Sequence, residues 1–266
     1  MEHCYRHPDR ETRVSCSRCG RPICPDCMTP TSVGMHCPEC AGDRQVVKRP
    51  AFSGQSAGAA AMPLTIALIA INVVAFIAEL GRESLIIDGG LFGPAVADGE
   101  WYRLLTSGFL HDDRSPLHLA FNMLALYFIG RDLENWVGWK RLLGIYFAAL
   151  LGGSVGALII DPNALTVGAS GAVYGLFAVI YLIARDRGEA AMAQFLLVIL
   201  GVNLLFTFSV PNISIGGHLG GLAAGATAAA MIIAAKRASS RPPEIAELVG
   251  LALLVIALFG AGIAVA

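Results

Sequence analysis

Two residues lie inside long apolar runs although they suit acyl transfer better than lipid. Ser170 stands in Gly168-Ala169-Ser170-Gly171, and His218 closes Gly216-Gly217-His218. A serine hydroxyl is a poor nucleophile until a neutral imidazole can take its proton. A third cluster, His118-Leu119-Ala120-Phe121-Asn122, opens another apolar run. His118 and Asn122 are four residues apart, share one helical face, and can both donate to a developing oxyanion. Ser170 and Tyr174 share a face in the same way, so the Tyr174 ring can pack on His218.

Taken singly, each cluster has a plainer reading. A serine in a membrane span bonds its own helix backbone, and GxxxG spacing means close helix packing. The combination argues for more. Gly171 and Gly175 on one run face Gly217, Gly221 and Gly225 on another, and such strips of small residues bring two backbones within reach of a Ser170–His218 hydrogen bond. No acidic residue fits as a third member, because Asp161 reads as a turn residue with Pro162 and Asn163. A Ser–His dyad is the expectation.

The seven cysteines point to separate chemistry. All lie in the first forty residues, in the pairs Cys4-x2-His7, Cys16-x2-Cys19, Cys24-x2-Cys27 and Cys37-x2-Cys40. Each pair sets two ligands on one tight turn, and eight ligands make two closed, four-coordinate structural zinc sites. An odd number of cysteines in such pairs favours metal over disulfides. About forty residues cannot build a sufficient core unaided, so metal would hold the fold. Two pairings are open. In the cross-braced one, Cys4, His7, Cys24 and Cys27 share one ion while Cys16, Cys19, Cys37 and Cys40 share the other; the alternative is sequential. His3 and His36 read as bystanders, with His36 able to replace Cys37.

These groups need elements to position them, and composition says which. Of 266 residues 55% are hydrophobic and 15% charged, with a net charge of −1, against nearer a quarter charged in soluble domains. Residues 1–62 hold eight Lys/Arg and six Asp/Glu; beyond them the chain falls into apolar runs close to the length that crosses a bilayer core of about 30 Å. Soluble enzymes, disordered chains and binders driven by bulk positive charge are excluded, and no nucleic-acid partner is expected. Seven helical spans are expected, at 63–80, 116–131, 142–160, 169–184, 190–209, 215–235 and 247–266.

Positive residues orient them. Arg131, Lys140, Arg141, Arg185, Arg187, Lys236, Arg237 and Arg241 fall in loops on the side of the N-terminus, against Arg82, Arg103 and Arg114 on the other. The positive-inside rule then puts the N-terminus in the cytoplasm, the C-terminus outside, and all three polar clusters at outer helix ends. Residues 1–40 contain no apolar stretch and so no secretory signal, which agrees with a reducing compartment for the thiols. Residues 42–62, with Lys48 and Arg49, read as a flexible linker with a basic anchor beside the bilayer. The outer loop at about 81–115 is long enough to hold structure, with Trp101, Tyr102 and Arg103 at headgroup depth; an inert connector is the alternative.

Together GASGAVYG, HLAFN and GGHLGGLAAG resemble the rhomboid intramembrane serine proteases over about residues 63–240. Glu134 and the Trp101-Tyr102-Arg103 stretch fit the same pattern. The resemblance implies an all-α polytopic membrane protein, with a six-helix core over 63–240 and a seventh C-terminal helix in 241–266. It implies Ser170 as nucleophile, His218 as general base, Gly168 as the turn beneath the serine, and His118, Asn122 and the Ser170 amide as oxyanion hole. Gly171, Tyr174, Gly217 and Gly221 support them. The zinc domain, 1–41, resembles the B-box type of finger, which implies a protein-interaction module with a cytosolic partner. One departure stands out: the family often shows a histidine five residues before the span-two histidine, whereas His111 precedes His118 by seven, with Asp112–Pro116 as a local insertion.

The expected activity is hydrolysis of peptide bonds in single-pass transmembrane substrates near the outer face, without a metal in the chemistry. An inactive rhomboid-like protein that escorts membrane clients is the alternative, although such relatives are expected to lack the serine or the histidine. A transporter finds no support in internal repeats. An Ala/Gly-rich chain without an organelle-targeting peptide points to a bacterial plasma membrane.

Overall fold

Cysteines rather than aliphatic side chains fill the interior of the first forty residues. The computed structural model describes residues 2–31, 34–41, 62–112, 116–210, 213–238 and 244–266, which divide into a front unit within Met1–Ala59 and a second unit within Ala60–Ala266. The expected linker lies outside the described residues except for Met62, as do Arg114 and Arg241 of the charge pattern.

In the front unit β1 (Glu2–His3) pairs antiparallel with β2 (Glu11–Thr12), and β3 (Thr29–Thr31) with β4 (Gly34–His36). A 3-10 turn over Pro25–Cys27 and the short helix α1 (Pro38–Ala41) complete it. These strands depart from the all-α expectation, which describes the second unit alone. The buried apolar cluster is Cys4, Cys16, Ile23, Cys24, Cys27 and Cys37. Ile23 is its one aliphatic member, so burial by itself contributes little there.

Among the described residues the second unit builds its regular elements as helices, joined by loops and one β-bridge, Leu91 to Thr166. Its elements are α2 (Pro63–Glu79), α3 (Glu83–Gly89), α4 (Gly93–Ala97), α5 (Arg103–Thr106), α6 (Pro116–Ala125), α7 (Arg131–Val137), α8 (Trp139–Ile160), α9 (Ser170–Asp186), α10 (Ala190–Ser209), α11 (Ile215–Ala238) and α12 (Glu244–Val265). Among the described residues four helices, α8, α10, α11 and α12, are long and apolar enough to cross a membrane, and α2 is a shorter apolar helix. The second expected span continues past 131, because a π turn over Leu126–Gly130 joins α6 to α7 without a break. Gly138, at φ +84, separates α7 from α8; only glycine adopts that backbone without strain.

α9 sits at the centre, buried from Ala172 through Ile180, as expected of a helix that is apolar all round. α8 and α11 flank it through their small residues. A Cβ on Gly221 of α11 would lie 2.0 Å from the Gly171 carbonyl of α9, and one on Gly220 would lie 2.2 Å from the Gly152 carbonyl of α8. Those backbones touch because neither carries a side chain between them.

Most Lys and Arg residues of this unit gather at one end of the bundle. Lys140 and Arg141 at the start of α8 pair with Glu244 and Glu247 at the start of α12. Arg237 near the end of α11 pairs with Asp186 of α9 at 2.7 Å, and Arg187 stacks over Trp136. The clusters around Ser170, His218 and His118 begin their helices at the opposite end.

Glu134 has a clear structural task. Its carboxylate accepts hydrogen bonds from the Leu64 and Thr65 amides, at 3.0 and 2.9 Å, and from the Thr65 hydroxyl at 2.6 Å. The first amides of α2 have no partner within their own helix, and a carboxylate there also complements the helix dipole. Glu134→Ala should lower the unfolding free energy by about 2–3 kcal/mol, read as a drop in the thermal midpoint in detergent. An unchanged midpoint would refute the capping role.

Candidate active site and metal centres

The loop that delivers Ser170 is held from both sides. Leu91 and Thr166 exchange two backbone hydrogen bonds at 2.9 Å, Gly93 N–H donates to the Pro162 carbonyl at 2.8 Å, and Gly168 N–H donates to the Ser107 carbonyl at 2.9 Å. Residues 81–112 are therefore no inert connector. They fold as α3–α5 and clamp the segment leading into α9. Arg103 is their pin: it is buried, donating from Nε to Glu100 at 2.6 Å and from Nη1 to the Ile87 and Gly90 carbonyls at 2.6 and 2.8 Å. Only Trp101 and Tyr102 of the expected interfacial trio are half-exposed. Arg103 turns inward because its fork of N–H groups satisfies carbonyls that short helices leave open.

Ser170 opens α9 and His218 lies in the first turn of α11. The Ser170 Oγ to His218 Nε2 distance is 2.8 Å, within hydrogen-bond range. The Tyr174 ring stacks on the His218 ring, centroids 4.0 Å apart and planes 14° from parallel. On the other side of the serine, a Cβ on Gly168, whose φ is +129, would collide with His118 at 2.9 Å. Glycine there satisfies both the turn and the approach of the imidazole. Asn122 is buried one turn beyond His118 and donates one amide hydrogen to the His118 carbonyl at 2.9 Å, leaving its second hydrogen for another acceptor. All of these residues line one cavity of about 1180 Å³.

Asp161 lines the cavity as well, at the end of α8, where its amide bonds the Ala157 carbonyl and its own carbonyl takes the Ala164 amide. It is a turn residue, as its sequence context suggests. His111 packs its ring 5.2 Å from that of His118, and its amide donates to Glu79 at 2.9 Å. The longer spacing thus still seats His111 on His118, although residues 113–115 of the expected insertion lie outside the described residues.

Sequence reasoning missed Thr207. Its Oγ1 stands 2.7 Å from His218 Nδ1 and 2.8 Å from the Tyr174 hydroxyl. Asn203 and Thr207, four apart inside the apolar middle of α10, were the available signal, since polar residues in spans are costly. The clamp by residues 81–112 had no signal, because it is made almost entirely of backbone bonds.

A rhomboid-domain family model matches residues 98–235, just over half the chain. The chain belongs to the rhomboid family. It is 38% identical over 153 residues to the rhomboid protease GluP of Bacillus subtilis, covering 56% of this chain and 30% of that one. It is 34% identical over 134 residues to the putative rhomboid protease YdcA of the same bacterium, covering 49% and 66%. It is also 35% identical over 147 residues to Rhomboid-like protease 1 of Toxoplasma gondii, covering 52% and 49%. The chain thus spans less than two thirds of the length of each of these relatives. With its long apolar helices, this rhomboid family member is an integral membrane protein.

Its front unit gathers two tetrads, Cys4, His7, Cys24 and Cys27, and Cys16, Cys19, Cys37 and Cys40, each with ligand atoms within 4.8 Å of one another. This is the cross-braced pairing; Cys37, not His36, completes the second set. His7 Nδ1 lies 3.8, 3.4 and 3.5 Å from the sulfurs of Cys4, Cys24 and Cys27, and Cys19 Sγ lies 3.7 Å from Cys37 Sγ. A tetrahedral zinc site has ligand-to-ligand edges of roughly 3.5–3.8 Å. Both sets therefore fit such an ion. The knuckles are closed by backbone bonds from His7 to Cys4, from Cys27 to Cys24 and from Cys40 to Cys37. The Tyr5 hydroxyl donates to Glu39 and, with Arg6, holds the Glu39 carboxyl down at about 2, which joins the first knuckle to the last.

Proposed function

We propose that this chain is an intramembrane serine endopeptidase that hydrolyses peptide bonds of single-pass membrane proteins near the extracytoplasmic face. The observation that carries the reading is the 2.8 Å Ser170–His218 contact inside a cavity that His118, Asn122 and Thr207 also line. Residues 63–240 would form a six-span rhomboid core, with 241–266 as a seventh span. The excess of Lys and Arg at one bundle end supports a cytoplasmic N-terminus and an outward-facing site. α9 has 17 residues, about 26 Å of helix, which is short of a core of about 30 Å. That shortness would sink Ser170 below the outer surface while leaving it open to water through the cavity.

In the reaction Ser170 Oγ attacks the scissile carbonyl carbon as its proton passes to His218 Nε2. The carbonyl oxygen becomes an oxyanion, met by the Ser170 amide at the start of α9 and by N–H groups of His118 and Asn122. Collapse breaks the C–N bond, and His218 gives its proton to the departing amine. Water then attacks the acyl-enzyme with His218 again as base, releasing the new carboxyl terminus and Ser170. An intact substrate helix hides its carbonyls in its own hydrogen bonds, so substrates with helix-destabilising residues and a small residue before the cut are favoured.

Residues 1–41 would be a B-box-like domain holding two structural zinc ions, a surface for a cytosolic protein. Zinc would neutralise and fix thiolates that cannot otherwise share an interior.

The test uses the full chain in detergent with a fluorophosphonate probe and a single-pass substrate, and products mapped by mass spectrometry. Labelling confined to Ser170 and one cut near the outer end of the substrate span are expected. A folded protein that neither labels nor cleaves would instead favour a client-binding role.

A further inference from the structure

A serine dyad employs one nitrogen of its histidine and says nothing of the other. Here the other is engaged. His218 Nδ1 lies 2.7 Å from Thr207 Oγ1, and Thr207 is 2% exposed. The same oxygen is 2.8 Å from the Tyr174 hydroxyl and 3.0 Å from the Asn203 carbonyl one turn back. Three helices, α9, α10 and α11, therefore meet at one hydroxyl.

The hydrogen count decides the direction of each bond. A threonine hydroxyl has one hydrogen and two acceptor positions. The Asn203 carbonyl can only accept, so the Thr207 hydrogen points there. Its oxygen then accepts from the Tyr174 hydroxyl and from His218 Nδ1–H. A neutral imidazole carries one ring hydrogen, which leaves Nε2 bare and facing Ser170 Oγ. A span threonine that merely bonds its own helix backbone would need only the Asn203 contact. It would not need partners from two neighbouring helices.

From this geometry we infer that Thr207 is a positioning residue, which selects the Nδ1–H tautomer of His218 and, with the Tyr174 stack, fixes the plane of the ring. The inference rests on the dyad reading above. When His218 accepts the serine proton, both its nitrogens carry hydrogen, and Nδ1–H keeps its acceptor throughout. A neutral hydroxyl is a weaker partner than the carboxylate of a full triad, whose loss costs about 10⁴ in rate. The expected contribution of Thr207 is about tenfold.

The experiment compares wild type, Thr207→Val and Thr207→Ser in the full chain. Valine keeps the shape and removes the hydroxyl, and serine restores the hydroxyl with less bulk. Thr207→Val should slow both fluorophosphonate labelling of Ser170 and kcat about tenfold with KM unchanged, and Thr207→Ser should recover most of the loss. Spectra of ¹⁵N-histidine-labelled protein should show the Nδ1–H form of His218 in wild type and Thr207→Ser, and a gain of the Nε2–H form in Thr207→Val. Wild-type rates with an unchanged tautomer in Thr207→Val would overturn the inference. So would a loss in Thr207→Ser as large as in valine, which would mark packing as the cause. If wild type neither labels nor cleaves, the dyad reading fails, and the nitrogen spectra still decide the role of Thr207.

Discussion

Ser170→Ala should abolish both substrate cleavage and fluorophosphonate labelling, while leaving the detergent-solubilised protein folded. The loss should reach about 10⁴–10⁶ in kcat, the range seen when one member of a catalytic unit is removed. The 2.8 Å bond to His218 Nε2 is one argument for this size. The other is that Thr207, the second hydroxyl against His218, meets Nδ1 and not the nitrogen that serves the serine. His218→Ala should fall to the same floor, because a hydroxyl without its base is as inert as no hydroxyl. The double variant should be no slower than either single one, since members of such a unit are not additive. Folding should survive the serine change, as Ser170 is only partly buried and loses a small polar group. Retained cleavage in Ser170→Ala, with a metal- or cysteine-protease contaminant excluded by inhibitors, would rule the nucleophile out.

The second large effect belongs to the front unit. Stripping metal with a strong chelator should unfold residues 1–41 within the full chain, read as complete loss of protection from limited proteolysis, and re-addition of zinc should restore it. Structural zinc binding is worth about 10–16 kcal/mol in comparable small domains. Against that stands one buried aliphatic residue, Ile23, whose burial contributes about 1.5–3 kcal/mol. Elemental analysis should find two zinc ions per chain. Cys24→Ser should remove the ion of the Cys4 tetrad and Cys40→Ser that of the other, each lowering the ratio to one. A ratio of zero in freshly purified protein, or an unchanged digestion pattern after chelation, would dispose of the metal-held fold.

Much of this architecture was legible in the sequence, for definable reasons. Helices were placed within about three residues, apart from the second, which runs on from 131 to Val137, because a lipid-exposed backbone has to satisfy its own hydrogen bonds; four of them are long and apolar enough to cross a membrane. The juxtaposition of Ser170 and His218 was legible through Gly171, Gly175, Gly221 and Gly225, since a strip without side chains specifies how closely helices approach. The cross-brace was one of two pairings, and spacing alone could not choose, because each knuckle is locally identical. Two features left less trace. Arg103 was read as an interfacial anchor because its neighbours are aromatic, yet besides Glu100 its partners are backbone carbonyls of α3 and the turn after it, which no residue type announces. Thr207 was hidden in a helix that is mostly lipid-like in composition, and two of its partners come from 11 and 33 positions along the chain.

The π turn at Leu126–Gly130 carries a consequence for how this chain can vary. It stands between Asn122, which faces the cavity, and Glu134, which holds the start of α2. Each residue of an α-helix advances the screw by about 100°, and a π turn absorbs one surplus residue within a continuous rod. Closing through i+5 rather than i+4, it fits five residues into the rotation that an α-helix covers with four. Removing a single residue from 126–130 would therefore relax the turn to ordinary α-helix and leave Asn122 and Glu134 on their present faces. A second removal would find no such slack and would turn one of the two away by about 100°. The stretch holds one spare residue, so a single deletion here should be tolerated and a double deletion should not.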